Sequence, residues 1–141
     1  MEPTPLERAL TRVGDRWTLL VVEALLDGPR RFGELSEAVP GIAPNILTAR
    51  LRKLEDDRLV VSTPYSTRPL RHHYELTADG RELASALAVL GSWAARVDGA
   101  LPGYPYHETC GTPVEMRPWC PTCGRVVDDA DADEVDVLDR L

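Results

Sequence analysis

Two breaks, Asp27-Gly28-Pro29 and Pro40-Gly41, limit this chain more than any other feature. Glycine takes the backbone angles that end a helix and proline cannot continue one, so each break is a stop. Around the breaks, apolar residues recur at helical spacing. Trp17, Leu20, Val21, Ala24 and Leu25 mark a helix over Arg16–Leu26, and Phe32, Leu35 and Val39 mark another over Arg31–Val39. Pro44 suits a first turn, where no N–H is needed, and opens the fourth helix of the chain over Pro44–Asp57 with Leu47, Leu51 and Leu54 turned inward. A shorter helix, Leu6–Val13, precedes them behind Pro3 and Pro5. The central pattern is therefore helix, forced turn, helix.

Beyond it the period changes. Leu59–Thr63 and Leu70–Leu76 read as strands around a tip at Pro64–Pro69. In the second strand Leu70, His72, Tyr74 and Leu76 share one face, which turns His72 inward as a core histidine. Thr77 then caps a long helix over Ala78–Val97, in which Leu83, Leu87, Leu90, Ala94 and Val97 form the narrow seam that two helices share. Gly99–Tyr106 is rich in proline and glycine. The expected fold is mainly α with a small β wing. A winged helix-turn-helix with a long dimerisation helix occupies residues 1–98, followed by a linker at 99–106, a zinc-ribbon-like module at 107–126 and an acidic tail at 127–141.

A helix-turn-helix followed by a wing places one helix in a DNA groove and a loop against the neighbouring backbone. The net charge of −7 is unpromising for such a partner until its distribution is considered. Residues 1–100 carry 13 basic and 14 acidic side chains, whereas residues 101–141 carry 3 and 9. Over residues 44–73 there are 6 basic against 3 acidic, so the helix and wing that would face DNA are locally positive. Phosphates sense charge within a screening length of about 8–10 Å, so this local balance is the one that counts.

On the fourth helix Asn45, Thr48, Ala49 and Arg52 lie opposite the leucines, with Arg50 and Lys53 flanking them. Asn and Arg match adenine and guanine edges bidentately, and Thr and Ala contact thymine methyls. Asn45, Thr48 and Arg52 are expected to face the groove of double-stranded DNA, and Ala49 lets the helix approach closely. Arg50 and Lys53 are expected on phosphates. Arg30 and Arg31, opening the preceding helix, and Arg68 and Arg71, on the wing, are further phosphate or minor-groove candidates.

These segments resemble the HxlR-type winged helix-turn-helix transcriptional regulators, relatives of the MarR group. The resemblance is carried by Gly14-Asp15-Arg16-Trp17-Thr18-Leu19-Leu20, Gly28-Pro29-Arg30-Arg31-Phe32-Gly33-Glu34-Leu35, Pro40-Gly41-Ile42, Leu47-Thr48-Ala49-Arg50-Leu51-Arg52-Lys53-Leu54-Glu55 and Tyr74-Glu75-Leu76-Thr77-Ala78-Asp79-Gly80, in the expected order over residues 5–97. It implies homodimers joined through the N- and C-terminal helices and binding to a palindromic operator. It also implies that Arg31 and Phe32 open the supporting helix and that Pro44 to Arg52 read DNA. Two departures stand out. Many members carry a cysteine just before the first helix, where this chain has Thr4-Pro5-Leu6. Serine is common where Ala43 stands, and its absence removes a side-chain cap worth about 1 kcal/mol.

The second signal is His107-x-x-Cys110-Gly111 followed, nine residues on, by Cys120-Pro121-Thr122-Cys123-Gly124. Two knuckles, each ending in glycine, present four donors of the kind that tetrahedral zinc prefers, and four filled positions make a structural site. His107, Cys110, Cys120 and Cys123 are the expected ligands of one Zn2+, with Glu108 as a substitute for His107. A redox pair at Cys120 and Cys123 and plain thiols are the other readings. Trp17 and Trp93 are expected to pack core and interface, and Trp119 to cover the zinc hairpin or dock it on the main domain.

Several classes are set aside. No run of about 18 apolar residues exists to cross a membrane; the longest, Trp17–Leu26, is interrupted by Thr18 and Glu23. The opening Met1-Glu2-Pro3-Thr4 lacks the regions of a signal peptide, and three cysteines do not make a disulfide framework, so a reducing cytoplasm is expected. No grouped nucleophile and base and no phosphate-binding loop point to an enzyme. The expected function is a sequence-specific regulator of transcription, a repressor acting as a homodimer on a palindromic operator. One alternative is a zinc- or thiol-based sensor working through Cys110, Cys120 and Cys123. Another is an interaction module that has lost DNA binding. No residue pattern names a small-molecule effector.

Overall fold

A computed structural model describes residues 1–99 and 106–127. The expected linker lies largely outside the described residues, as does the expected acidic tail beyond Val127. The chain divides into two compact units, Leu10–Leu87 and, separately, Met1–Ala9 with the chain from Ala88 onward.

Helix α1 spans Pro5–Val13, one residue earlier than its apolar spacing suggests. Thr4 and Glu7 cap it reciprocally, Glu7 N donating to Thr4 Oγ1 at 3.1 Å and Thr4 N to Glu7 Oε2 at 2.7 Å. Helix α2 covers Arg16–Leu25 and starts on Asp15, whose carboxylate accepts the backbone N–H groups of Trp17 and Thr18. Arg30–Arg31 form strand β1, helix α3 covers Phe32–Ala38, and helix α4 covers Pro44–Asp56. Gly41, at φ +83°, makes the turn between α3 and α4. Ala43 gives α4 no side-chain cap, as its methyl side chain dictates.

Strands β2 (Val60–Thr67) and β3 (Leu70–Leu76) form the wing, and the sheet order is β1-β3-β2. Two findings differ from the sequence reading. First, β1 pairs with β3 through Arg30 opposite Tyr74 and Arg31 opposite His73, so these arginines precede the helix rather than open it. Second, β2 continues through Pro64 to Thr67, with a register shift between Pro64 and Ser66. Pro64 is tolerated because β2 lies at the sheet edge, where a missing N–H breaks no central ladder.

Val21, Val22, Leu25, Leu35, Leu47, Leu51, Leu54, Val60 and Leu76 are buried together, drawing one core from α2, α3, α4 and the wing. Helix α5 spans Ala78–Asp98. Leu83 and Leu87 pack against that core, whereas Leu90, Trp93 and Val97 are exposed. The seam expected along the whole helix is thus divided, its first part serving the helix's own core. No helix among the described residues is long and apolar enough to cross a membrane.

In the other unit, the described residues 106–127 contain a bridge between Tyr106 and Pro113 and a hairpin of β4 (Trp119–Cys120) with β5 (Arg125–Val126).

Candidate nucleic-acid interface

Burial of Leu47, Leu51 and Leu54 fixes the rotation of α4. Asn45, Ala49 and Arg52 are exposed and Thr48 is half-exposed, all on the side away from the core, and Pro44 lies exposed at the helix start. Thr48 Oγ1 donates to Pro44 O at 2.9 Å, which occupies its hydrogen.

The flanking cations behave differently from one another. Lys53 Nζ lies 2.9 Å from Asp57 Oδ2, one turn on. Arg50 Nε is buried and sits 3.0 Å from Asp15 Oδ1, an ion pair made without the angle of a good hydrogen bond. Its charge is therefore matched within the fold, a pairing the sequence reading did not foresee. Arg30 Nε donates to Ala24 O at 2.6 Å and its guanidinium reaches Asp27 at 3.4 Å, so Arg30 closes the loop after α2.

Arg31 is arranged for the outside. Its backbone N–H donates to Glu34 Oε2 at 2.6 Å, fixing the start of α3, while its guanidinium lies 4.3 Å over the ring of Tyr65. Tyr65 in turn stacks on His73, with centroids 6.4 Å apart. Arg68, at the wing tip beside a cis peptide to Pro69, and Arg71, on β3, are exposed. Tyr65 is the residue that sequence reasoning missed. It falls at the register shift of β2, where alternation gives no guide to orientation.

An open cleft of about 580 Å³ lies between α3 and the wing, with Phe32, Glu37, His72 and Tyr74 among its walls. His72 lines this cleft, half-buried, instead of the core. Burial raises the Tyr74 hydroxyl above its ordinary value, Glu55 adds to the shift, and Arg52 opposes it.

In the C-terminal unit, His107 Nδ1 lies 3.2 Å from Cys110 Sγ, and Cys123 N donates to Cys120 Sγ at 3.5 Å. Hydrogen bonding with Thr112, then with His107, lowers the Cys110 thiol; backbone and side-chain hydrogen bonding with Cys123 lowers that of Cys120. Among the described residues, no three His, Cys, Asp or Glu side chains form a group that could hold a metal, and no disulfide joins the cysteines. Trp119, on β4, is 60% exposed.

Residues 12–100 match the model of the HxlR-like helix-turn-helix family. The chain belongs to that family. Over 123 residues it is 41% identical to the uncharacterised HTH-type transcriptional regulator Rv3095 of Mycobacterium tuberculosis, covering 85% of this chain and 77% of that one. The reduced form of the Bacillus subtilis regulator YodB superposes with a TM-score of 0.58 at 32% identity, covering 68% of this chain and 94% of YodB. The Pseudomonas aeruginosa protein PA1374 superposes with a TM-score of 0.67 at 35% identity, covering 90% of this chain and 88% of that one. Membership makes this HxlR-type chain a DNA-binding transcriptional regulator with a winged helix-turn-helix, and not an enzyme.

Proposed function

We propose that the protein is a sequence-selective repressor that binds a palindromic operator as a homodimer. The observation that carries the reading is the face of α4, where Asn45, Thr48, Ala49 and Arg52 are presented opposite a fully buried leucine row. Arg52 and Asn45 read base edges, and Arg31, Arg68 and Arg71 engage the backbone beside them. The exposed apolar side chains of α1 and α5, among them Leu6, Leu10, Leu90, Trp93 and Val97, support the homodimer, since such surface is covered in a working regulator. A two-fold axis then calls for a palindrome with half-sites about one helical turn apart. Cytoplasmic action follows from the partner.

The test is binding to a duplex from the chain's own upstream region, beside a scrambled duplex, as salt rises to physiological levels. A preference for the upstream duplex that survives the salt supports the repressor reading. Equal loss on both duplexes removes own-promoter control.

A second reading, in which thiol oxidation releases DNA, is supported by YodB, solved both reduced and after diamide treatment. Here the thiols are Cys110, Cys120 and Cys123, far along the sequence from the first helix, and diamide addition to the same binding assay separates the readings.

A further inference from the structure

Residues 106–127 hold a definite backbone without a core. Every one of them is exposed except Cys120 and Val127, which are half-buried. Ordering each residue costs about 1–2 kcal/mol of backbone entropy, and a two-stranded hairpin alone is marginal in water. Neither apolar burial nor a disulfide offsets that cost here.

The backbone is nevertheless built twice to one plan. His107 and Cys110 flank one tight turn, closed by Gly111 N donating to His107 O at 2.7 Å. Cys120 and Cys123 flank another, closed by Gly124 N donating to Cys120 O at 2.9 Å. Gly111 and Gly124 have φ of +66° and +65°, angles that L side chains rarely adopt. In each turn two soft or borderline donors are held side by side. Around tetrahedral zinc, with Zn–N near 2.0 Å and Zn–S near 2.3 Å, the N···S edge is about 3.5 Å. The 3.2 Å between His107 Nδ1 and Cys110 Sγ is close to that edge. The N–H of Cys123 aimed at Cys120 Sγ suits a thiolate that is a metal ligand.

We propose that these are two half-sites of one structural zinc site, in which His107 (through Nδ1), Cys110, Cys120 and Cys123 close on a single Zn2+. All four donors reach one ion only if the two turns close on each other, since among the described residues no three of them form such a group. Four protein donors leave no position for water, so the ion supplies folding energy and not catalysis. The inference is independent of DNA binding, because nothing in it involves α4 or the wing.

The test uses the full chain, stripped of metal under reducing conditions and titrated with Co2+. One equivalent should produce the intense visible bands of tetrahedral cobalt with sulfur-to-metal charge transfer, and one equivalent of Zn2+ should erase them. His107→Ala, Cys110→Ser, Cys120→Ser and Cys123→Ser should each abolish or weaken the bands. His107→Cys should keep them and strengthen the charge transfer, which separates a lost ligand from a lost fold. Weak octahedral bands in the unmodified chain overturn the site. Full bands in any of the four loss variants overturn the ligand set.

Discussion

Arg50, on the helix proposed to face DNA, and Asp15, at the head of α2, sit 3.0 Å apart. The same carboxylate accepts the N–H groups of Trp17 and Thr18 at 3.1 Å and the Thr18 hydroxyl. One acidic side chain therefore both starts α2 and ties it to α4. Arg50 is about a third exposed, so the pair is a positioning contact more than a store of stability.

Asp15→Ala is expected to destabilise the fold by about 1–2 kcal/mol, the cost of a lost cap, and Asp15→Asn by less because its oxygen still accepts an N–H. Burial raises the Asp15 carboxyl. Hydrogen bonds from the Thr18 side chain and backbone, the Arg50 charge and the Trp17 N–H outweigh it and leave the value below 3.8. With the folded value below the unfolded one, this group stabilises the fold above pH 3.8, and the contribution is lost as pH falls through the lower folded value. Thermal unfolding measured from neutral to acid pH should show a shallower acid limb for Asp15→Asn than for the unmodified chain. Parallel limbs would remove Asp15 as the titrating group.

Gly80 lies buried in the first turns of α5, where a Cβ would meet Leu59 O at 2.2 Å. Thr77 fixes this approach, its N–H donating to Leu59 O at 3.0 Å and its hydroxyl to Arg58 O at 2.7 Å. Gly80→Ala must push α5 off the connection between α4 and β2 and should cost about 1–3 kcal/mol, although alanine favours helices. Denaturant unfolding would measure it, and a neutral or stabilising result would show that the approach is looser than 2.2 Å implies.

Base readers and backbone cations should separate by their salt behaviour. Arg52→Ala is expected to cost about 1–3 kcal/mol of operator binding and to relax sequence preference. Arg31→Ala should weaken all duplexes alike and reduce the salt slope by about 1. Tyr65→Ala should resemble a partial Arg31 loss, because the guanidinium rests on that ring. Arg50→Ala should leave the salt slope unchanged, its charge being matched by Asp15. A lowered slope for Arg50→Ala would return it to the phosphate contacts.

The helices were legible because their stops are strong and their leucines periodic: Pro40-Gly41, Pro44 and the Leu47, Leu51, Leu54 row place α4 to within a residue. Strand β1 was not legible, since two residues carry no period, and with it went the true setting of Arg30 and Arg31. The Arg50–Asp15 pair escaped for another reason. Both side chains look like ordinary solvated charge in sequence, and only the packing of α2 on α4 brings them together. Tyr65 was hidden because Pro64 reads as the start of the wing tip, whereas β2 continues past it through a register shift to Thr67.

The exposed half of α5 gives the prediction on assembly. Leu90, Trp93 and Val97 are 52%, 54% and 64% exposed, and they recur at the spacing of one helix face. Leu83 and Leu87, earlier on the helix, are committed to the core around α2 and α4. A charge at Trp93 should thus affect assembly while leaving the winged core intact. Trp93→Glu, combined with Leu90→Glu, is expected to convert the proposed homodimer to a monomer in sedimentation analysis. Binding to a full palindrome should fall far more than binding to a half-site, since a dimer gains its second contact at the effective concentration set by the first. A double variant that still sediments as a dimer would place the interface elsewhere and leave this face for another partner.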